Sequence, residues 1–102
     1  MERLYIISIP TDQQDKVIQL TDNFKFRLFY ISFQGNISYF NFKSNKTQRA
    51  FANRPISINT LYQNIIHLLK IWEFEPYEDI TLSIDTIDNN GKIVFIGVKE
   101  DV

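Results

Sequence analysis

Residues 24–43, FKFRLFYISFQGNISYFNFK, decide how this chain is read, because eight of their twenty side chains are aromatic and they alternate. Phe24, Phe26 and Leu28 alternate with Lys25 and Arg27, then Phe29, Ile31 and Phe33 continue in the opposite phase. Side chains on a strand alternate between two faces, so the change of phase predicts one strand with a bulge at Leu28 or Phe29. Gln34-Gly35-Asn36 reads as a turn. Ile37 to Lys43 then reads as a return strand, with Phe40 and Phe42 on one face and Ile37 and Tyr39 on the other. The expected unit is an aromatic hairpin inside a sheet.

Toward the N-terminus, Arg3 to Ile9 is apolar in both phases, Leu4 and Ile6 in one and Tyr5, Ile7 and Ile9 in the other, which predicts a central strand. Pro10 ends it. Thr11 and Gln14 have the spacing of a capping box, and Val17, Ile18, Leu20 and then Phe24 make a narrow stripe, so a helix is expected to Asp22. Toward the C-terminus, residues 44–56 read as a polar, basic surface loop with one helical turn around Thr47 to Ala52. Ser57 caps a second helix, whose stripe Ile58, Leu61, Tyr62, Ile65, Leu68, Leu69 and Trp72 has helical spacing. Ile80, Leu82 and Ile84 then alternate with Thr81, Ser83 and Asp85. Asn90-Gly91 is the signal of a type I′ hairpin that returns as Lys92 to Lys99. The order β-α-β-β-α-β-β predicts a single α+β domain: a mostly antiparallel sheet with two helices on one face. Leu61, Ile65, Leu68, Leu69 and Trp72 are expected to pack on Ile6, Phe40, Phe42, Leu82, Ile84 and Phe95.

The chain has 102 residues, 44% hydrophobic, with no cysteine, one histidine and three glycines. That is enough apolar surface for one core. Missing cysteines exclude thiolate zinc sites, iron–sulfur clusters and a cysteine nucleophile. No phosphate-cradling glycine loop, nucleophile elbow or H-E-x-x-H occurs. His67 is the one side chain that ordinarily titrates near neutrality, and it lies on the flank of the second helical stripe. These observations predict a protein with no catalysis, cofactor or metal of its own. The N-terminus lacks the pattern of a signal peptide and no apolar run approaches membrane length, so a cytoplasmic location is expected.

Charge is distributed in blocks. No acid occurs between Asp22 and Glu73, where Lys25, Arg27, Lys43, Lys46, Arg49, Arg54 and Lys70 sum to +7. Eight of the twelve acids lie from Glu73 onward. Aromatic side chains interleaved with the basic block suit stacking on single-stranded bases beside phosphates, which nominates Lys25, Arg27, Lys43 and Arg49 for a nucleic-acid face. Leu4-Tyr5-Ile6-Ile7-Ser8-Ile9-Pro10 resembles the more N-terminal ribonucleoprotein motif of the RNA recognition motif family. Gly35-Asn36-Ile37-Ser38-Tyr39-Phe40-Asn41-Phe42 is loosely similar to the other. The resemblance covers residues 3–42 and implies a βαββαβ sheet with Tyr5 and Tyr39 as base-stacking residues.

The competing reading is protein binding. Opposite charge in different segments steers association, and aromatic anchors supply contact energy. Glu73, Glu75, Glu78, Asp79, Asp85 and Asp88 could imitate a phosphate backbone in the basic groove of a nuclease or other nucleic-acid-binding enzyme. Small intracellular inhibitors and adaptors, such as phage counter-defence proteins of the anti-CRISPR kind and toxin-immunity proteins, share this size and composition. On that ground an inhibitor or adaptor is the primary expectation and a single-stranded RNA or DNA binder the alternative.

Overall fold

The computed structural model describes residues 2–51, 56–57 and 72–101. They form eight strands: β1 (Glu2–Pro10), β2 (Asp15–Gln19), β3 (Phe24–Gln34), β4 (Tyr39–Ser44), β5 (Ile56–Ser57), β6 (Glu73–Phe74), β7 (Asp79–Ile84) and β8 (Lys92–Asp101). Two four-stranded sheets result, ordered β1-β8-β3-β6 and β2-β7-β4-β5, with every pairing antiparallel. Strand 1 pairs with 8, 2 with 7, 3 with 6 and 4 with 5. A long hairpin wound over two sheets in this way is the connectivity of a jelly roll.

The sheets face each other across an aromatic core. From the second sheet, the Phe42 ring lies 5.4 Å from Phe95 and 6.0 Å from Phe74 of the first, and Phe40 lies 5.2 Å from Phe33. Phe42 also meets Phe51 at 4.8 Å and Trp72 at 4.9 Å, so one side chain joins both sheets to the connections around them. Phe26, Phe40, Phe74, Phe95, Ile31, Ile80, Leu82 and Ile93 have no solvent exposure at all.

The expected α+β sandwich is overturned: the described residues contain strands and no helix. Where a first helix was expected, Asp15–Gln19 is a strand against β7. Only three residues of its stripe fall before Asp22, two of them β-branched, and pairing with β7 satisfies a backbone that a short helix would have had to satisfy alone. The capping pair is used otherwise: the Thr11 hydroxyl donates to the Asp88 carbonyl (2.7 Å) and the Gln14 amide to the Asp85 carbonyl (3.2 Å). The second expected helix, with His67, lies outside the described residues apart from its ends, Ser57 in β5 and Trp72, which is buried. Both expected hairpins are also corrected, because β3 and β4 lie in different sheets, as do β7 and β8. Neither Asn90 nor Gly91 has the positive φ that a type I′ turn demands, and their turn is a crossing between sheets. The bulge is where the change of phase put it, between Leu28 and Tyr30 against β8. Phe40, Phe42, Leu82, Ile84 and Phe95 are buried as expected, whereas Ile6 is 57% exposed.

Candidate interaction surface

The register of the first sheet defines its outer face. Leu4, Val98 and Arg27 stand side by side across β1, β8 and β3; Ile6, Ile96 and Tyr30 form the next row, and Ser8, Val94 and Ser32 the third. Residues opposite one another in neighbouring strands share a face. Leu4 is 68% exposed, Ile6 57%, Tyr30 41% and the bulged Phe29 46%. Polar residues close both ends of the patch: Lys25 opposite Glu100 at one, Gln34 opposite Lys92 at the other. Beside the Leu4 row, Arg27 stands opposite Glu73 of β6. An apolar centre with a polar rim is the anatomy of a protein interface.

The outer face of the second sheet is different in kind. Its rows are Val17-Thr81-Lys43 and Asp15-Ser83-Asn41, with Gln19 opposite Asp79 at one end. Apart from the exposed Val17 and Tyr39, which stand in separate rows, this face is polar, with the Ser83 hydroxyl donating to Asp15 (3.0 Å) and the Thr81 hydroxyl to Asn45 (2.9 Å). A shallow recess of about 90 Å³ beside Tyr39, Ser83, Ile84 and Asp85 has room for a few waters at most.

The six acids nominated from sequence do not share a surface. Asp79 and Asp85 sit at opposite ends of β7, roughly 20 Å apart at the rise of a strand. Glu73 and Glu75 are exposed near Asp79, but Glu78 between them is buried. Its carboxylate accepts from the Glu75 N–H (3.2 Å), its own N–H donates to the Thr21 hydroxyl (2.9 Å), and that hydroxyl donates to the Glu75 carbonyl (2.5 Å). Asp85 accepts from the N–H groups of Ser38 (3.0 Å) and Tyr39 (2.9 Å) and from the Thr86 hydroxyl (3.1 Å). Partial desolvation pushes its carboxyl up, but the backbone N–H groups of Tyr39 and Ser38 outweigh it and the net shift is below the ordinary 3.8. Asp88 accepts from the N–H groups of Asn36 (3.0 Å) and Asn90 (2.9 Å), tying two crossings together. Three of the six acids are therefore engaged in holding loops.

The nucleic-acid set is divided as well. Tyr5 belongs to the first sheet, half-buried on its inner side, with its ring 5.3 Å from Phe24 and the Lys99 ammonium 5.0 Å above it. Tyr39 is exposed on the second sheet, so the two stacking residues implied by the RNA-recognition resemblance share no sheet, and the βαββαβ arrangement it implies is absent from the described residues. Lys25 and Arg27 lie on the outer face of the first sheet and Lys43 on that of the second. Arg49 stacks 4.2 Å over the Trp72 ring. No group of three or more metal-ligating side chains is assembled among the described residues, nor is any described helix long and apolar enough to cross a membrane.

Composition-based reasoning passed over Leu4, Ile6, Phe29, Tyr30, Val94, Ile96 and Val98. The signal was present: β1 and β8 are apolar in both phases, and only one phase can face a two-layer core. Compared with protein-family models, curated proteins and solved structures, the chain matches none.

Proposed function

We propose that this protein is a non-catalytic protein-binding module, an inhibitor or adaptor of the cytoplasm, that engages its partner with the outer face of the β1-β8-β3 sheet. One observation carries the reading: Leu4, Ile6, Phe29 and Tyr30 are exposed around Val94, Ile96 and Val98 on one face, while the opposite face of the sandwich is polar apart from Val17 and Tyr39, which stand in separate rows. Surface aromatics at the centre of such a patch are the residues that carry binding energy. Arg27 and Glu73 at its rim supply charge of both signs, which orients a partner more than it holds it. The acids at the β6–β7 end, Glu73, Glu75 and Asp79, contribute to that rim as steering charge.

The test is affinity capture from nuclease-treated lysate with the wild type, Phe29→Glu, Tyr30→Glu and, on the opposite face, Val17→Lys. The expected result is a partner held by the wild type and Val17→Lys and lost by both β3 variants. A partner retained by the β3 variants would overturn the assignment of the surface. Micromolar or tighter binding to a labelled oligonucleotide, weakening steeply with salt as counterion release requires, would overturn the protein-binding reading in favour of nucleic acid.

A further inference from the structure

Four strands lie at the edges of the two sheets, and they are not alike. β2 is five residues long and carries Asp15, Lys16 and Gln19; β5 and β6 have two residues each. Short or charged edges are how β-proteins avoid pairing with other chains. Over Leu4 to Ile9, β1 has neither protection. It runs for nine residues, its register with β8 is unbroken from Glu2 opposite Glu100 to Pro10 opposite Lys92, and Leu4 to Ile9 contains no charge, proline or bulge. Its residues are those of a strand flanked on both sides, yet its second edge pairs with no described strand.

We propose that two copies of this chain associate through β1, antiparallel about a two-fold axis, into one continuous eight-stranded sheet. A two-fold axis centred on a residue of β1 pairs even positions with even and odd with odd. Leu4, Ile6 and Ser8 of both copies then stay on the outer face, while Tyr5 and Ile7, only half-buried in one chain, meet their counterparts on the inner side. Aromatic and β-branched residues are favourable cross-strand partners. Arg3 of β1 is already compensated by Asp101 at 3.1 Å, so a second copy meets no unpaired like charge from it. A nine-residue strand is about 30 Å long. Across a molecule 25 Å thick, its flank offers about 750 Å² per copy, close to the roughly 800 Å² of a standard interface. The contact is isologous and closes at two. Dimerisation also joins the two apolar patches into one. The inference goes beyond the protein-binding reading, and its test needs no other partner.

The chain has no cysteine, so introduced thiols report unambiguously. Sedimentation equilibrium of the purified wild type is expected to give twice the monomer mass at micromolar concentration. Under mild oxidation Ile6→Cys is expected to form a covalent dimer, while Tyr30→Cys, two strands away from the axis, and Val17→Cys on the other sheet do not. Leu4→Lys and Ile6→Lys, both at exposed positions, are expected to weaken association at least about tenfold while the β-sheet circular dichroism signal is kept. A wild type that stays monomeric at about 100 μM would overturn the proposal. So would trapping at Tyr30 as fast as at Ile6, which would assign the dimer to face-to-face stacking.

Discussion

Thr21 shows how a residue without chemistry of its own shapes the surface around it. Its buried hydroxyl donates to the Glu75 carbonyl and accepts from the Glu78 N–H, closing the connection between β6 and β7 onto the end of β2. Thr21→Val keeps the shape and leaves both backbone groups without their partner, a loss of about 2 kcal/mol, read as a lower urea midpoint with an unchanged m-value. A midpoint equal to that of the wild type would mean that water replaces the hydroxyl. Gly97 is constrained by space: a Cβ there would fall on the Arg27 carbonyl oxygen and within 2.9 Å of the Phe26 ring, so Gly97→Ala has to displace backbone and should cost about 3 kcal/mol. Asp85 differs because its contribution depends on pH. Its native carboxyl titrates below the ordinary 3.8, so the stability it contributes is present above that value and is lost as pH falls through the lowered native value. Exposure limits the effect, and Asp85→Ala is expected to cost about 1 kcal/mol near neutrality. The difference between variant and wild type should vanish in urea titrations once the native carboxyl is protonated. A difference that persists in acid would show that packing of Asp85, and not its charge, is what the loop needs.

At the scale of elements, strands were legible wherever alternation is strong and sheet membership was not. Ile80, Leu82 and Ile84 alternate with Thr81, Ser83 and Asp85 in sequence and point inward in the structure, and the bulge at Phe29 followed from a single change of phase. Which strand lies beside which is decided by residues far apart in the chain. Gln34-Gly35-Asn36 and Asn90-Gly91 carry turn chemistry, but a turn between sheets and a turn between paired strands draw on the same residues. β1 reads as central only if its apolar residues in both phases are core; Leu4 and Ile6, two of the five, are exposed and face outward. The candidate surface was missed for the same reason, while attention went to charge blocks that the fold disperses. Phe42 tests the element-scale account. It lies between β7 and the Phe51, Trp72 and Phe95 rings, all within 6 Å, so Phe42→Ala should cost about 3–5 kcal/mol, more than the same change at the exposed Phe29.

For the whole molecule, the winding of the hairpin sets how the chain is closed. The pairs run outward from Phe40 with Ile56, through Phe26 with Phe74 and Ile18 with Ile80, to Tyr5 with Gly97, and each closes a longer loop than the one before. Loop entropy grows only as the logarithm of length, so the outermost pair is penalised little in stability. Rate is another matter, since folding slows as contacts become less local. The inner pairs around Phe40 and Phe42 are then the ones formed in the transition state, with β1 adding to β8 afterwards. Ile9→Ala on β1 removes a buried side chain and should therefore act mainly by raising the unfolding rate, whereas Phe42→Ala should slow folding. Chevron plots of the two variants, measured where the protein is monomeric so that association does not enter the rates, separate these outcomes. A slowed folding limb for Ile9→Ala with an unchanged one for Phe42→Ala would reverse the order and make docking of the terminal strands the nucleating step.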